Sequence, residues 1–169
     1  MGCGVGRHAQ YLASQGFACA GVDASEAGLA FARSEAERAG LSIDYRVSPF
    51  YALPFGEQTF EGVIAWNVIY HGDRDIAQRA IDEIARVLSP GGLYVGTMLS
   101  KRSRGYGVGR EVTPDTFVVD DATDDKVHPH LYVNGHDVMA LHRGFELLSL
   151  QDVEEAPGVN HWHFTFERV

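Results

Sequence analysis

Residues 2–25, GCGVGRHAQYLASQGFACAGVDAS, decide how the chain is read. Gly2, Gly4 and Gly6 open a turn, after which RHAQYLASQG puts Ala9, Leu12 and Ala13 on one face of a short helix ending at Gly16. FACAGVD (17–23) then reads as a buried strand that ends in Asp23. Such a turn lets bare backbone approach a nucleotide-type ligand, while a carboxylate at the end of the next strand accepts from both ribose hydroxyls. The spacing is GxGxG; a GxGxxG dinucleotide fingerprint would need its third glycine at Arg7, which disfavours NAD and FAD.

Working outward, SEAGLAFARSEAERAG (25–40) is a helix capped by Ser25, with Ala27, Ala30, Phe31 and Ala36 at helical spacing. SIDYRV (42–47) alternates as a strand, and SPFYALPFGEQTF (48–60) is a loop. GVIAWNVI (62–69) is apolar on both faces, as a central parallel strand should be. DIAQRAIDEIARVL (75–88) carries Ile76, Ala80, Ile81, Ile84 and Leu88 on one helical face, is closed by SPGG, and leads into the strand GLYVGTML (92–99). Residues 100–130 show little periodicity and are expected to form a lid. VNGHDVMALHRG is a short helix capped by Asn134, and FELLSLQDV and HWHFTFERV, joined by EEAPGVN, form an antiparallel hairpin. Strands and helices alternate, so the class is α/β, doubly wound, with a mainly parallel sheet and a C-terminal hairpin.

At 169 residues the chain fits one domain, and 45% hydrophobic with 22% charged residues is the balance of a soluble globular protein with no membrane-spanning run. A net charge of −9 argues against nucleic acid as a partner and favours a small molecule. No targeting segment is visible, so the expected location is the cytoplasm. Cys3 and Cys19 lack CxxC spacing and read as reduced thiols. His128-x-His130 and His161-x-His163 lack a completing cysteine or paired carboxylate, and the aspartates of DDATDDK (120–126) read as a solvated loop, so no metal is expected.

The stretch 2–25, with LPFGEQTFEGVIAWNVIYH (53–71) and IDEIARVLSPGG (81–92), resembles the class I S-adenosylmethionine-dependent methyltransferases, especially small-molecule enzymes of the tellurite-resistance and thiopurine type. The resemblance implies a Rossmann-like fold and methyl transfer from S-adenosylmethionine to a small soft or oxyanionic acceptor. It implies that Gly2, Cys3, Gly4 and Gly6 approach the methionine and ribose, and that Asp23, with Ala24 beside it, holds the ribose hydroxyls. Phe50, within 48–51, would flank the adenine, and Asn67 would lie beneath the sulfonium. Family members commonly place an acid for the adenine amino group where Pro49 stands, and proline offers neither acceptor side chain nor amide donor. In the resembling fold a first strand precedes the glycine loop and lies between FACAGVD and GVIAWNVI. The expectation is therefore a single domain over 1–169 truncated at its N-terminus, its first central strand missing, with a homodimer or a strand supplied in trans filling the slot. A catalytically silent partner protein or a remnant without a tight cofactor site are the alternatives.

A nucleophile pocket rich in histidine and tyrosine is expected at the acceptor end. Tyr70 and His71 follow the strand bearing Asn67, and His71, just past a central strand's carboxyl end, is the first candidate for catalysis. Arg102, Arg104 and Tyr106 begin the long loop, His128, His130 and Tyr132 end it, and His161 and His163 share a strand face by period two. These groups either line the acceptor pocket or, His71 apart, are ordinary exposed strand and loop residues.

Overall fold

A computed structural model describes residues 1–120 and 127–169, in two compact units, Met1–Phe55 and Gly56–Val169. Residues 121–126, which hold most of the expected acidic loop and part of the expected lid, lie outside the described residues.

The N-terminal unit runs α1 (Arg7–Ser14), β1 (Cys19–Asp23), α2 (Glu26–Arg38) and β2 (Ile43–Val47), with β1 and β2 parallel from Cys19↔Ile43 to Asp23↔Val47. Helix α2 starts where Ser25 Oγ accepts from Gly28 N at 3.0 Å. It buries Leu29, Ala32 and Ala36 against Tyr45, the two alanines letting the helix lie close to the strands. This is a correction to the expected stripe: Ala27 and Ala30 face solvent and Phe31 is 53% exposed. The face is set by the residues that meet Tyr45, and the only leucine of the helix, Leu29, heads it.

The C-terminal unit contains β3 (Phe60–Ala65), α3 (Arg74–Val87), β4 (Leu88–Ser100), β5 (Arg110–Thr113), β6 (Thr116–Val118), β7 (His130–Val133), α4 (Gly135–Leu141), β8 (Phe145–Ala156) and β9 (Val159–Arg168). Among the described residues these form a seven-stranded sheet in the order β5-β6-β7-β4-β9-β8, with β3 also on β4. Pairing is parallel for β3–β4 and β4–β7, and antiparallel for β4–β9, β8–β9, β5–β6 and β6–β7. The α/β class and the C-terminal hairpin are as the sequence reads, but antiparallel strands are more numerous in this unit than expected.

Helix α3 begins at Asp73, whose Oδ1 accepts from Ile76 N at 3.0 Å, and buries Ala77, Ala80, Ile81, Ile84 and Val87. Leu88 passes directly into β4, so SPGG does not cap the helix; it forms the irregular first turn of the strand, opposite a register shift between Phe60 and Gly62. Asn134 caps α4 through a reciprocal pair, its Oδ1 accepting from Asp137 N and its own N donating to Asp137 Oδ2. A buried aromatic group of Tyr94, His142, Phe145, Phe164 and Phe166 fills one face of the sheet.

The strand expected over 62–69 stops at Ala65. Asn67 adopts a left-handed φ of 53°, with its N donating to Thr97 Oγ1 and its Oδ1 accepting from the same hydroxyl, each at 2.8 Å. β7 then takes the edge of β4 that β3 has left, pairing Leu99↔Tyr132 and Ser100↔Val133. Residues expected to be a structureless lid supply β5 and β6, which extend the sheet from β7 through Thr116↔Leu131 and Phe117↔His130. Among the described residues no helix is long and apolar enough to cross a membrane.

Candidate functional site

In the N-terminal unit the glycine turn is fastened to the carboxyl end of β1. Cys3 N donates to Val22 O at 3.0 Å and Gly6 N to Cys3 O at 2.8 Å. Asp23 spans the turn and the helix start, Oδ2 accepting from Gly4 N at 2.7 Å and Oδ1 from Ser25 N at 2.8 Å. A carboxylate has about four lone-pair directions, and these two backbone donors take two of them. Asp23 is thus both clamp and acceptor, and the local capping role that the sequence left to Ser25 is shared by the two residues.

Gly2, Gly4 and Gly6 have φ of 57°, 51° and 82°, where a side chain is strained. They differ in surroundings: a Cβ at Gly4 would meet open space, whereas one at Gly6 would run into Tyr45 Oη. Gly4 keeps the backbone open for approach, and Gly6 lets α1 pack. The Cys3 thiol is pushed up by burial, with the nearby Asp23 charge adding to it. Ser48 N donates to Asp23 O at 3.0 Å, which brings segment 48–51 to the end of β1; there Phe50 is half-buried, edge-on to Tyr51 at 5.4 Å. Ala24 is exposed beside the clamp.

The C-terminal unit gathers part of the expected pocket. Leu131 N donates to Tyr70 O at 2.9 Å and Gly72 N to Pro129 O at 2.8 Å, and these bonds draw His71 against His130. Tyr70 stacks on His71 at 4.8 Å, His71 meets His130 edge-on at 4.6 Å, and Tyr70 lies 5.6 Å from the His161 ring. Tyr70, His130 and His161 are buried, which corrects the reading of the last two as ordinary exposed residues. His161 sits opposite Leu99 in the sheet and His163 opposite Thr97, both near the carboxyl end of β4. His163 packs edge-on to Trp66 at 4.7 Å.

Other candidates do not join this cluster. His128 is exposed. Arg102 has a side chain 74% exposed, 3.6 Å from Asp152, and Arg104 is exposed. Tyr106 donates to Asp115 Oδ1 at 2.9 Å and packs with Phe117 and Tyr132, which in turn pack beside Tyr70.

The structure adds residues the sequence reading passed over. Glu155 Oε1 lies 2.8 Å from His163 Nε2, and its Oε2 lies 3.2 Å from His161 Nδ1, out of line for a hydrogen bond. Burial pushes the His161 imidazole below its ordinary value; Glu155 opposes that and His163 reinforces it. Thr97, fully buried, fixes Asn67. No group of three or more histidine, cysteine or carboxylate side chains suited to a metal ion occurs among the described residues.

Residues 1–92 match the family model described as a methyltransferase domain. The chain belongs to the class I S-adenosylmethionine-dependent methyltransferase family. It is 34% identical over 108 residues to the ubiquinone biosynthesis O-methyltransferase of Paramagnetospirillum magneticum, an alignment covering 64% of this chain and 42% of that one. The chain therefore spans less than half the length of that curated methyltransferase. Among solved structures, the PH0226 protein of Pyrococcus horikoshii OT3 superposes with a TM-score of 0.81 at 21% identity, over 99% of this chain and 79% of that one. The 1,6-didemethyltoxoflavin-N1-methyltransferase of Burkholderia thailandensis, solved with its acceptor and S-adenosylhomocysteine, gives a TM-score of 0.76 at 21% identity, over 99% and 68%. At these identities the solved structures establish the methyltransferase fold.

Proposed function

We propose that the chain carries out methyl transfer from S-adenosylmethionine to a small acceptor that reacts through a soft or oxyanionic atom. When bound, S-adenosylmethionine supplies a methyl carbon on a positively charged sulfur, so the protein's task is mainly to orient the acceptor and exclude water. The observation that carries the reading is the Asp23 clamp. A carboxylate that holds both the glycine turn and the start of α2 stands at a strand's carboxyl end, beside a glycine whose Cβ position is open. That acceptor suits the two hydroxyl donors of a ribose diol. Gly2, Cys3, Gly4 and Gly6 would offer backbone to the donor, Ala24 would lie beside the ribose, and Phe50 would give the adenine an apolar neighbour.

On the C-terminal unit, Asn67 is held in its left-handed turn by Thr97, with its side-chain amide nitrogen turned to donate. The acceptor would meet the Tyr70, His71, His130 and His161 rings, which wall off water and offer polar edges. O-Methyl transfer by the curated relative and N-methyl transfer by a protein of the same fold both agree with a small-molecule acceptor.

Calorimetric titration with S-adenosylhomocysteine tests the reading. Asp23→Ala removes two ribose bonds to a charged group, worth ~1.5–3 kcal/mol each, and affinity should fall at least tenfold. Unchanged affinity would defeat the assignment.

A further inference from the structure

Strand β8 shifts register between Glu154 and Ala156, just before the turn into β9. Bulges of this kind re-aim a side chain and are frequent next to active sites. Glu155 lies at this shift, on the strand face that Gln151 and Val153 share with His163 and His161, and its two oxygens meet the two histidines, His163 at 2.8 Å and His161 at 3.2 Å. The His163 side chain is 25% exposed and that of His161 only 6%. His163 can therefore be reached by a ligand.

We propose that Glu155 and His163 form a carboxylate–imidazole pair that removes a proton from the acceptor, and that the acceptor is accordingly a weakly acidic hydroxyl of the phenol type. Glu155 fixes the proton of His163 on Nε2, which leaves the lone pair on Nδ1 as the base. The acceptor's hydroxyl proton passes to Nδ1, the O–H bonding pair stays on oxygen as the nucleophilic pair, and the imidazolium later returns the proton to water. Glu155 is a positioning residue that also offsets the imidazolium charge. A base is needed only for an acceptor still protonated at neutral pH, and a thioether or a ready-made oxyanion would leave the pair without work. The titratable group against the pair is His161, which in turn interacts with Asp152 and lies beside the Tyr70 ring. Trp66 closes the apolar side of His163.

The inference rests on the methyltransferase reading but is tested apart from it, with 4-nitrophenol, whose phenolate absorbs in the visible. At a pH below the phenol's own ionisation point, adding the full chain should raise the phenolate band without any methyl donor. His163→Gln should abolish the rise. Glu155→Gln should cut it about tenfold, the effect of losing a carboxylate in contact with the imidazolium, and Glu155→Asp should restore part of it. No rise with the parent chain, or an equal rise with His163→Gln, would overturn the proposal. S-Adenosylhomocysteine binding, followed in parallel, separates the two ideas. Binding retained with no phenolate signal sinks only the base, and a phenolate signal without that binding sinks only the methyl-transfer reading.

Discussion

Replacing His142 with phenylalanine is expected to make the C-terminal unit less sensitive to mild acid. The ring is 1% exposed and lies flat on Phe166 at 4.3 Å and 8°. Its Nδ1 donates to Val138 O at 2.7 Å, while Nε2 is buried without a partner. Burial pushes this imidazole down to about 4 from its ordinary 6.5, against a smaller opposing effect of the Val138 bond. Between those values the unfolded chain binds a proton that the folded chain refuses, so stability rises with pH and is lost as pH falls through the window. The whole interval corresponds to about 3 kcal/mol, and the part between about pH 7.5 and pH 5 to about 2 kcal/mol. In His142→Phe, Val138 O keeps the backbone N–H of residue 142 at 3.2 Å. The lost side-chain bond, about 1 kcal/mol, is offset by removing an unsatisfied buried nitrogen, so at about pH 7.5 the variant should match or slightly exceed the parent. Urea titrations followed by tryptophan fluorescence suit the test, because Trp66 and Trp162 both lie in this unit. The parent should lose about 2 kcal/mol more than the variant between the two pH values. Parallel losses in both proteins would refute the reasoning.

Two further outcomes are expected. His71→Ala should lower turnover much more than affinity for S-adenosylhomocysteine, because His71 packs with Tyr70 and His130 in the proposed acceptor wall; equal losses in both would move it out of that wall. Thr97→Val keeps the side-chain shape but strands the N and Oδ1 of Asn67, and should cost about 1–3 kcal/mol in the same urea titration, a loss below about 0.5 kcal/mol counting against a stabilising hold of Thr97 on Asn67.

Periodicity and capping residues made most of the framework legible in the sequence. Ser25 and Asn134 both start helices with their side chains on the expected amides, while Asp73, which caps α3, was not singled out. The glycine turn and Asp23 were legible because a left-handed backbone and a strand-end acid each narrow the residue choice. What escaped depends on partners distant in sequence. Spacing admits a Phe31 stripe on α2 as readily as a Leu29 stripe, and only Tyr45 decides between them. The apolar run 62–69 continues past the strand because Thr97, thirty residues later, bends the chain at Asn67. Among the histidines, His128 and His130 are alike in sequence, yet pairing with residues 70–72 buries one and leaves the other in solvent. Glu155 gave no signal at all, since only the pairing of β8 with β9 sets it against His161 and His163.

The position of β9 bears on how the C-terminal unit comes together. The strand lies between β4 and β8, and its Phe166, fully buried, sits opposite Tyr94, also fully buried. Partners so far apart in the chain meet only after a large loop has closed, an entropic cost met before the contact rewards it. Until residues 159–168 arrive, β4 exposes one whole edge and the aromatic face beneath it. Since β9 is made last, that edge and face stay uncovered until the end of synthesis, and uncovered strand edges and apolar surface of this kind favour aggregation.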